Sequence, residues 1–222
     1  MNAPTADDLI RALPGAPIEV LGHMLEESPE LASARAANGV SVLLLALYHR
    51  RRDVAELLLR ARPPLDVFDA AALDRSDRLA ELLDANPALA NARSPDGFTP
   101  LGYAAFFGGL AAAQVLLERG ADPNAHATNP LAVAPLHSAV ASKNKDVVAL
   151  LLARGADANA RQQEGYTPLM GAAAEGDEVS VLLLLAHRAD PRLVSESGKT
   201  AADIAAEKGH SKIEQKLRGV TG

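Results

Sequence analysis

Histidines and carboxylates are the residues of this chain that could perform acid–base or metal chemistry, and their spacing gives the first evidence about function. No two of the six histidines stand four residues apart, the spacing at which one helix face offers two zinc ligands, and the chain contains no cysteine. The 28 acidic residues form no pair that spacing alone brings to one pocket, and glycine-rich phosphate loops and serine-nucleophile motifs are missing. The sequence therefore indicates a protein that is not an enzyme and that needs no cofactor and no metal.

Basic residues could instead bind phosphates or an acidic partner. The 22 lysines and arginines are outnumbered by the acidic residues, which gives a net charge of −6 and argues against affinity for nucleic acid. The triplet Arg50–Arg52 could meet an acidic partner, although a solvated turn is the better explanation. Basic side chains near the C-terminus are interspersed with Asp203, Glu207 and Glu214, which favours a solvated surface; they are Lys199, Lys208, Lys212, Lys216 and Arg218.

The apolar residues give no sign of a membrane protein. The segment Met1–Asp8 lacks a basic stretch followed by an apolar one, and the longest apolar runs, 40–48 and 179–186, are too short to cross a bilayer. We therefore expect a cytoplasmic protein with no membrane partner. The Ala-, Arg- and Leu-rich composition is typical of a bacterial chain from a GC-rich genome.

Leucine recurs along the whole chain with a period near 33 residues. Twelve positions before each of seven leucines, six of the seven units carry alanine and the first carries Leu13. A large and a small apolar residue held in register indicate one supersecondary unit that is stacked repeatedly. The leucines, spaced by 33, 25, 33, 35, 33 and 33 residues, are Leu25, Leu58, Leu83, Leu116, Leu151, Leu184 and Leu217.

The fourth unit shows how each repeat is built. Thr99 before Pro100 predicts a helix start, because the hydroxyl accepts from free backbone N–H groups and proline has none to satisfy. Gly108 predicts the end of this short helix and Gly120 the end of a second helix over about 110–119. We expect seven such pairs, whose first helices cover about 7–13, 42–49, 66–73, 100–107, 135–142, 168–175 and 201–208.

This pattern resembles the ankyrin repeat, whose D-G-x-T-P-L-x-x-A-A and G-A-D-x-N-A motifs recur at 96–105, 120–125 and 155–160. The resemblance implies an all-α fold, an ankyrin-repeat α-solenoid of stacked antiparallel helix pairs with short β-hairpin fingers. It implies one domain over 1–222 with divergent first and last repeats. It also implies that His137, in the motif's histidine position, hydrogen-bonds backbone and ties neighbouring turns together; Asp69 has the same position in unit three. The repeats cover about 7–37, 38–63, 64–95, 96–128, 129–163, 164–196 and 197–219.

Two units depart from the repeat. The 25-residue unit runs through Pro63-Pro64 directly into the next helix, so we expect no β-hairpin over 61–66 and a possible cleft there. The fifth unit carries two extra residues within 128–133, which predicts a longer finger. The departures leave two functions open: a non-catalytic adaptor or scaffold, or a small-molecule-binding or enzymatic accessory protein that uses the cleft at Pro63-Pro64.

The resemblance favours the first function, a monomer that binds a partner protein or peptide on its concave surface of helices and fingers. Aromatic residues concentrate at interfaces because they bury a large area at a small cost in conformational entropy. Six of the seven aromatic residues fall at positions that the resemblance assigns to this surface, and Phe68 falls at a core position. The predicted partner-binding residues are Tyr48, His49, Leu73, Asp74, Phe98, Tyr103, Phe106, Phe107, Val133 and Tyr166.

Overall fold

The described chain is all-helical. The computed structural model describes residues 3–107 and 109–221, and these ranges contain fourteen α-helices and three short 3₁₀ turns. The first helix of every pair begins within one residue of its expected position, so the predicted all-α fold of helix pairs is confirmed. The helices are α1 (Ala6–Ala12), α2 (Ile18–Glu27), α3 (Val42–Tyr48), α4 (Arg52–Arg60), α5 (Val67–Ala72), α6 (Ser76–Ala85), α7 (Pro100–Phe107), α8 (Leu110–Glu118), α9 (Pro135–Ala141), α10 (Lys145–Ala153), α11 (Pro168–Ala174), α12 (Glu178–Ala186), α13 (Ala201–Glu207) and α14 (Ser211–Thr221).

Two compact units make up the chain. The first contains the residues up to Asp69 together with Ser94–Asp96, and the second contains Ala70–Arg93 and the residues from Gly97 onward. In the second unit the first helices pack in one row, α7 on α9, α9 on α11 and α11 on α13, while α6, α8, α10 and α12 pack in another. In the first unit α1 packs on α2, α2 on α4 and α3 on α4. All seven repeat leucines and the residues twelve positions before them are buried, which confirms the predicted register.

Helix starts follow the sequence signals. The Thr99 hydroxyl accepts a 3.0 Å hydrogen bond from the backbone N–H of Gly102, and Thr167 accepts one of 3.3 Å from Met170. Each bond satisfies an N–H group that has no partner within its helix. In α9 the same position is occupied by Ala134, which has no hydroxyl to offer.

Helix ends follow them less closely. Gly176 and Gly209 end α11 and α13 with positive φ values of 69° and 78°, whereas Gly108 lies outside the described residues. In the third repeat the residue with positive φ is Asp74, at 54°. Counting back from the repeat leucine would place this conformation at Arg75. The difference arises because α5, with six residues, is one residue shorter than α9, α11 and α13.

The fingers are turns rather than paired strands. The longer finger closes with a 2.9 Å hydrogen bond from the Ala127 N–H to the Val133 carbonyl, and such short arms leave no room for a ladder of strand pairs. Among the described residues the one β-bridge joins Arg35 and Ser41. Successive fingers of the second unit bond to each other through backbone: the N–H groups of Thr128, Gln163 and Glu196 donate to the carbonyls of Gly97, Leu131 and Glu164 at 3.0, 3.0 and 2.9 Å.

Asparagine side chains form a second connection between the repeats of the second unit. The side-chain NH₂ group of each asparagine donates to a backbone carbonyl at the end of the next repeat's second helix. The side-chain oxygen of the same asparagine accepts from the backbone N–H of an aspartate two residues after that carbonyl. One side chain thus satisfies two backbone groups in the neighbouring repeat. The partners are Gly120 and Asp122 for Asn91, at 2.9 and 2.8 Å, Gly155 and Asp157 for Asn124, at 3.1 and 2.7 Å, and Arg188 and Asp190 for Asn159, at 3.0 and 2.8 Å.

Residues 62–66 contain no strand, as expected for the missing finger. Around the missing finger, side chains of the first compact unit connect the repeats instead. The Ser41 hydroxyl donates to the Asp69 carboxylate at 2.5 Å, and the Arg35 guanidinium donates to Asp66 at 2.7 Å. Asp66 also accepts from the backbone N–H groups of Phe68 and Asp69, at 2.8 and 2.9 Å, which holds the start of α5.

Candidate partner-binding surface

Four aromatic rings of the second compact unit lie in a row. Phe98 stands two residues before α7, and the other three rings are on α7. The Tyr103 ring lies between Phe98, at a centroid distance of 5.8 Å, and Phe107, with which it stacks at 6.2 Å and an angle of 7°. Phe106 contacts Phe107 edge-on, with centroids 5.1 Å apart and planes at 84°. Edge-on and offset-stacked arrangements are the favourable ones for aromatic pairs, so the rings hold one another in place.

Only part of this row is accessible to a partner. Phe106 is 44% exposed and Phe98 and Phe107 are half-buried, but Tyr103 is 2% exposed and belongs to the core. Tyr103, predicted to contact a partner, therefore has almost no accessible surface, because the rings of Phe98 and Phe107 lie against it. The three accessible rings, Phe98, Phe106 and Phe107, are called the aromatic patch below.

Tyr48 and His49, predicted to bind a partner, lie at the end of α3 in the first compact unit. Tyr48 is 38% exposed, and its hydroxyl donates a 2.7 Å hydrogen bond to the Asp96 carboxylate. His49 is exposed. Phe68, expected in the core, is half-buried.

Asp74 has a structural role that the sequence analysis missed. Its carboxylate accepts a 2.7 Å hydrogen bond from the backbone N–H of Ala112, in the first turn of α8. Helices α10 and α12 are capped by their own Asn144 and Asp177, whereas the corresponding residue of α8 is Gly109, which has no side chain. Asp74 supplies this cap from the preceding repeat. Leu73 beside it is half-buried.

Val133 and Tyr166 come together at a cleft between two neighbouring fingers. The cleft has a volume of about 310 Å³. Leu131 also lines it and is 50% exposed, although the sequence analysis singled out only Val133 on this finger. The two additional residues in 128–133 were the signal that could have pointed to Leu131. The cleft, called the finger cleft below, is lined by Leu131, Val133, Gln162, Gln163, Glu164 and Tyr166.

Two buried titratable residues serve the fold. The His137 Nε2 lies 3.2 Å from the Tyr166 carbonyl in the next finger, which confirms the expected connection between turns. Burial lowers the pKa of His137 to about 4, so the ring is neutral at pH 7. Burial, followed by the nearby Asp66 carboxylate, raises the pKa of Asp69 to about 6. Both residues connect neighbouring repeats, one in each compact unit.

Three of the eight basic residues considered for an acidic partner, Arg51, Lys199 and Arg218, form contacts within the chain. The Arg51 guanidinium donates to the carbonyls of Leu13 and Ala16, at 3.2 and 3.0 Å, and so holds the segment after α1. Lys199 pairs with Glu207 at 2.8 Å, and Arg218 contacts carboxylates on α13 and α14.

Within residues 3–107 and 109–221, no group of three or more histidines and carboxylates is placed to hold a metal ion. None of the helices described there is both long and apolar enough to cross a membrane.

Repeated helix pairs joined by fingers, with rows of first and second helices, define a helical repeat protein. A model of a single ankyrin repeat matches residues 96–128, and a model of three ankyrin repeats matches 136–219, so together they match more than half of the chain. The chain belongs to the ankyrin-repeat family, as the motifs indicated.

Three mammalian proteins also match part of the chain. The chain is 34% identical over 137 residues to Ankyrin repeat and SAM domain-containing protein 6 of Rattus norvegicus and of Mus musculus; the match covers 55% of this chain and 15% of either relative. It is 45% identical over 75 residues to Neurogenic locus notch homolog protein 4 of Homo sapiens, which is 33% of this chain and 4% of that protein. The chain therefore spans only a small part of these mammalian proteins.

Proposed function

We propose that this chain is a non-catalytic adaptor that binds a partner protein through the aromatic patch formed by Phe98 and the exposed rings of α7. Ankyrin repeats are generally protein–protein interaction modules, which supports the class of function. The adaptor acts as a monomer, and we place it in the cytoplasm. It takes up a segment of its partner without catalysing a reaction on it.

The exposed ring of Phe106 is the observation that carries this proposal. A phenylalanine that is 44% exposed leaves apolar area in contact with water, and burying that area against a partner would be favourable by about 25 cal/mol per Å². The edge-on contact with Phe107 and the stack of Phe107 on Tyr103 restrict the rings before binding. A partner would then lose little affinity to the ordering of these side chains.

The test is Phe106→Ala in affinity capture from a lysate of the source organism, with captured proteins identified by mass spectrometry. The variant should lose the partner that the wild-type chain captures, while its free energy of unfolding falls by only about 1 kcal/mol, the value of one aromatic contact. Phe107 is unsuitable for the test, because removing its ring would also uncover Tyr103.

Val179→Ala is the matched control. Val179 is another exposed apolar residue of the second unit, 48% accessible on α12, and its truncation should leave capture unchanged. Equal capture by wild type and Phe106→Ala would contradict the proposal, and so would equal loss in both variants.

A further inference from the structure

The lining of the finger cleft is chemically mixed. Leu131 and Val133 on one finger and Tyr166 on the next contribute apolar groups, and Gln162, Gln163 and Glu164 contribute two amides and a carboxylate. Its volume of about 310 Å³ is at the lower end of the range for ligand pockets, roughly 300–1,000 Å³. The cleft is therefore suited to one or two side chains of an extended segment.

The Glu164 carboxylate is available to a ligand. Glu164 is exposed, and its side chain makes no hydrogen bond or ion pair with any residue in the described part of the chain. Of the basic groups on neighbouring segments, Lys199 pairs with the carboxylate of Glu207, whereas Arg161 donates to the Val194 carbonyl at 3.1 Å and retains its charge. Glu196, on the following finger, is exposed and adds negative charge.

The backbone at both sides of the cleft is strained. Ala132 and Glu164 have φ values of 48° and 62°, in the left-handed region that costs a residue with a Cβ about 1 kcal/mol. Asparagine or glycine would fit the turn at Glu164 and Gly165 better, since both residues have positive φ.

We propose that the finger cleft binds an extended segment of a partner protein in which an aliphatic side chain is flanked by lysine or arginine. The aliphatic side chain packs between Leu131 and Val133 and the Tyr166 ring. The basic side chain pairs with the Glu164 carboxylate at the edge of the cleft. The proposal rests on the proposed function, to which it adds the chemistry of the bound segment, but none of the residues that line the cleft belongs to the aromatic patch.

Synthetic peptides titrated into the full-length chain test this proposal, with backbone amide shifts followed by NMR. The first peptide carries Lys-Leu-Lys in a Gly/Ser context, the second Glu-Leu-Glu, and the third Lys-Ala-Lys. We expect the first to shift the amides of 131–133 and 162–166, to bind up to about fivefold more tightly than the second, the upper value for one exposed ion pair, and to bind more tightly than the third, which lacks the aliphatic side chain. Equal binding of the first two peptides, or shifts that map to another surface, would overturn the proposal.

Glu164→Asn removes the negative charge while keeping a residue that suits the turn. The variant should keep or raise the melting temperature, because asparagine is favoured in this turn, and should weaken binding of Lys-Leu-Lys by up to about fivefold. Glu56→Gln, which removes one exposed negative charge from the first compact unit, is the control and should leave binding unchanged. Unaltered affinity in Glu164→Asn, or the same weakening in both variants, would refute the role of this carboxylate.

Phe106→Ala distinguishes the two proposals. It should bind the Lys-Leu-Lys peptide as tightly as wild type does, since the finger cleft is intact. If that variant still captures the partner while the peptide titrations succeed, the aromatic patch is excluded and the finger cleft stands. If capture depends on Phe106 and the peptide does not bind the cleft, only the further inference fails.

Discussion

A single hydroxyl added at the start of α9 should stabilise the protein. Ala134 occupies the position at which Thr99 and Thr167 accept a hydrogen bond from the third residue of their helices. The backbone of Ala134, with φ −82° and ψ 158°, is close to that of Thr167, at −101° and 162°. Ala134→Thr should therefore place its hydroxyl within reach of the backbone N–H of His137.

The same hydroxyl should satisfy a buried nitrogen. His137 Nδ1 has no hydrogen-bond partner in the described part of the chain. In α13 the corresponding pair shows the required geometry, because the Thr200 hydroxyl donates to the Asp203 carboxylate at 2.7 Å and also accepts from the Asp203 N–H. A threonine at 134 can make the equivalent two bonds with His137.

The expected gain is about 2 kcal/mol, with roughly 1 from the helix cap and 1 from the hydrogen bond to Nδ1. The assay is urea unfolding at pH 7, and the control is Ala134→Val, which has the shape of threonine without its hydroxyl. The threonine variant should exceed the valine variant by that amount, or by about 4–8 °C in melting temperature. Equal stability of the two variants would refute the reasoning about the missing cap.

Three further predictions concern single side chains. Asp74→Ala should lower the free energy of unfolding by about 1–2 kcal/mol because the first turn of α8 loses its cap, whereas Asp74→Asn should retain most of it; equal losses would show that the amide oxygen cannot replace the carboxylate. Leu116→Ala and Leu151→Ala should each cost about 2–5 kcal/mol in urea unfolding, and a loss below about 1 at both would contradict the register. The pKa of Asp69 is raised to about 6 from an unfolded value near 4, so the folded chain holds the carboxyl proton more tightly than the unfolded chain does. The stability that this proton contributes is therefore present below about pH 4 and is lost as the pH rises through 6. Asp69→Asn keeps an acceptor for Ser41, and its stability relative to wild type should rise by up to about 3 kcal/mol between pH 4 and 8; a difference that does not change with pH would contradict the assigned titration.

The sequence predicted the helices well because their start signals are local. A threonine followed by proline needs only the next three residues to form a capped first turn, and the repeat leucines are buried wherever the period holds. Counting from the repeat leucine points to Arg75 instead of Asp74, because the length of α5 departs from the period by one residue.

The solvent accessibility of side chains was predicted less well than their positions in the helices. Tyr103 has the helix position of a surface residue, but its burial depends on the rings of Phe98 and Phe107, which counting from Thr99 cannot reveal. The bond between Ser41 and Asp69 joins residues 28 positions apart, and no local pattern indicates it. These contacts are properties of tertiary packing, which a period in the sequence does not specify.

The two kinds of connection between repeats differ in how freely they could be copied during evolution. The asparagine connection repeats with the same partners at Asn91, Asn124 and Asn159, so a duplicated repeat would bring both halves of a working joint with it. The connection through Arg35, Ser41, Asp66 and Asp69 uses side chains matched only to one another, so duplication of either repeat alone would separate them. The asparagine joints of the second compact unit would therefore survive the gain or loss of a whole repeat, whereas the four matched side chains around the missing finger have to be inherited together.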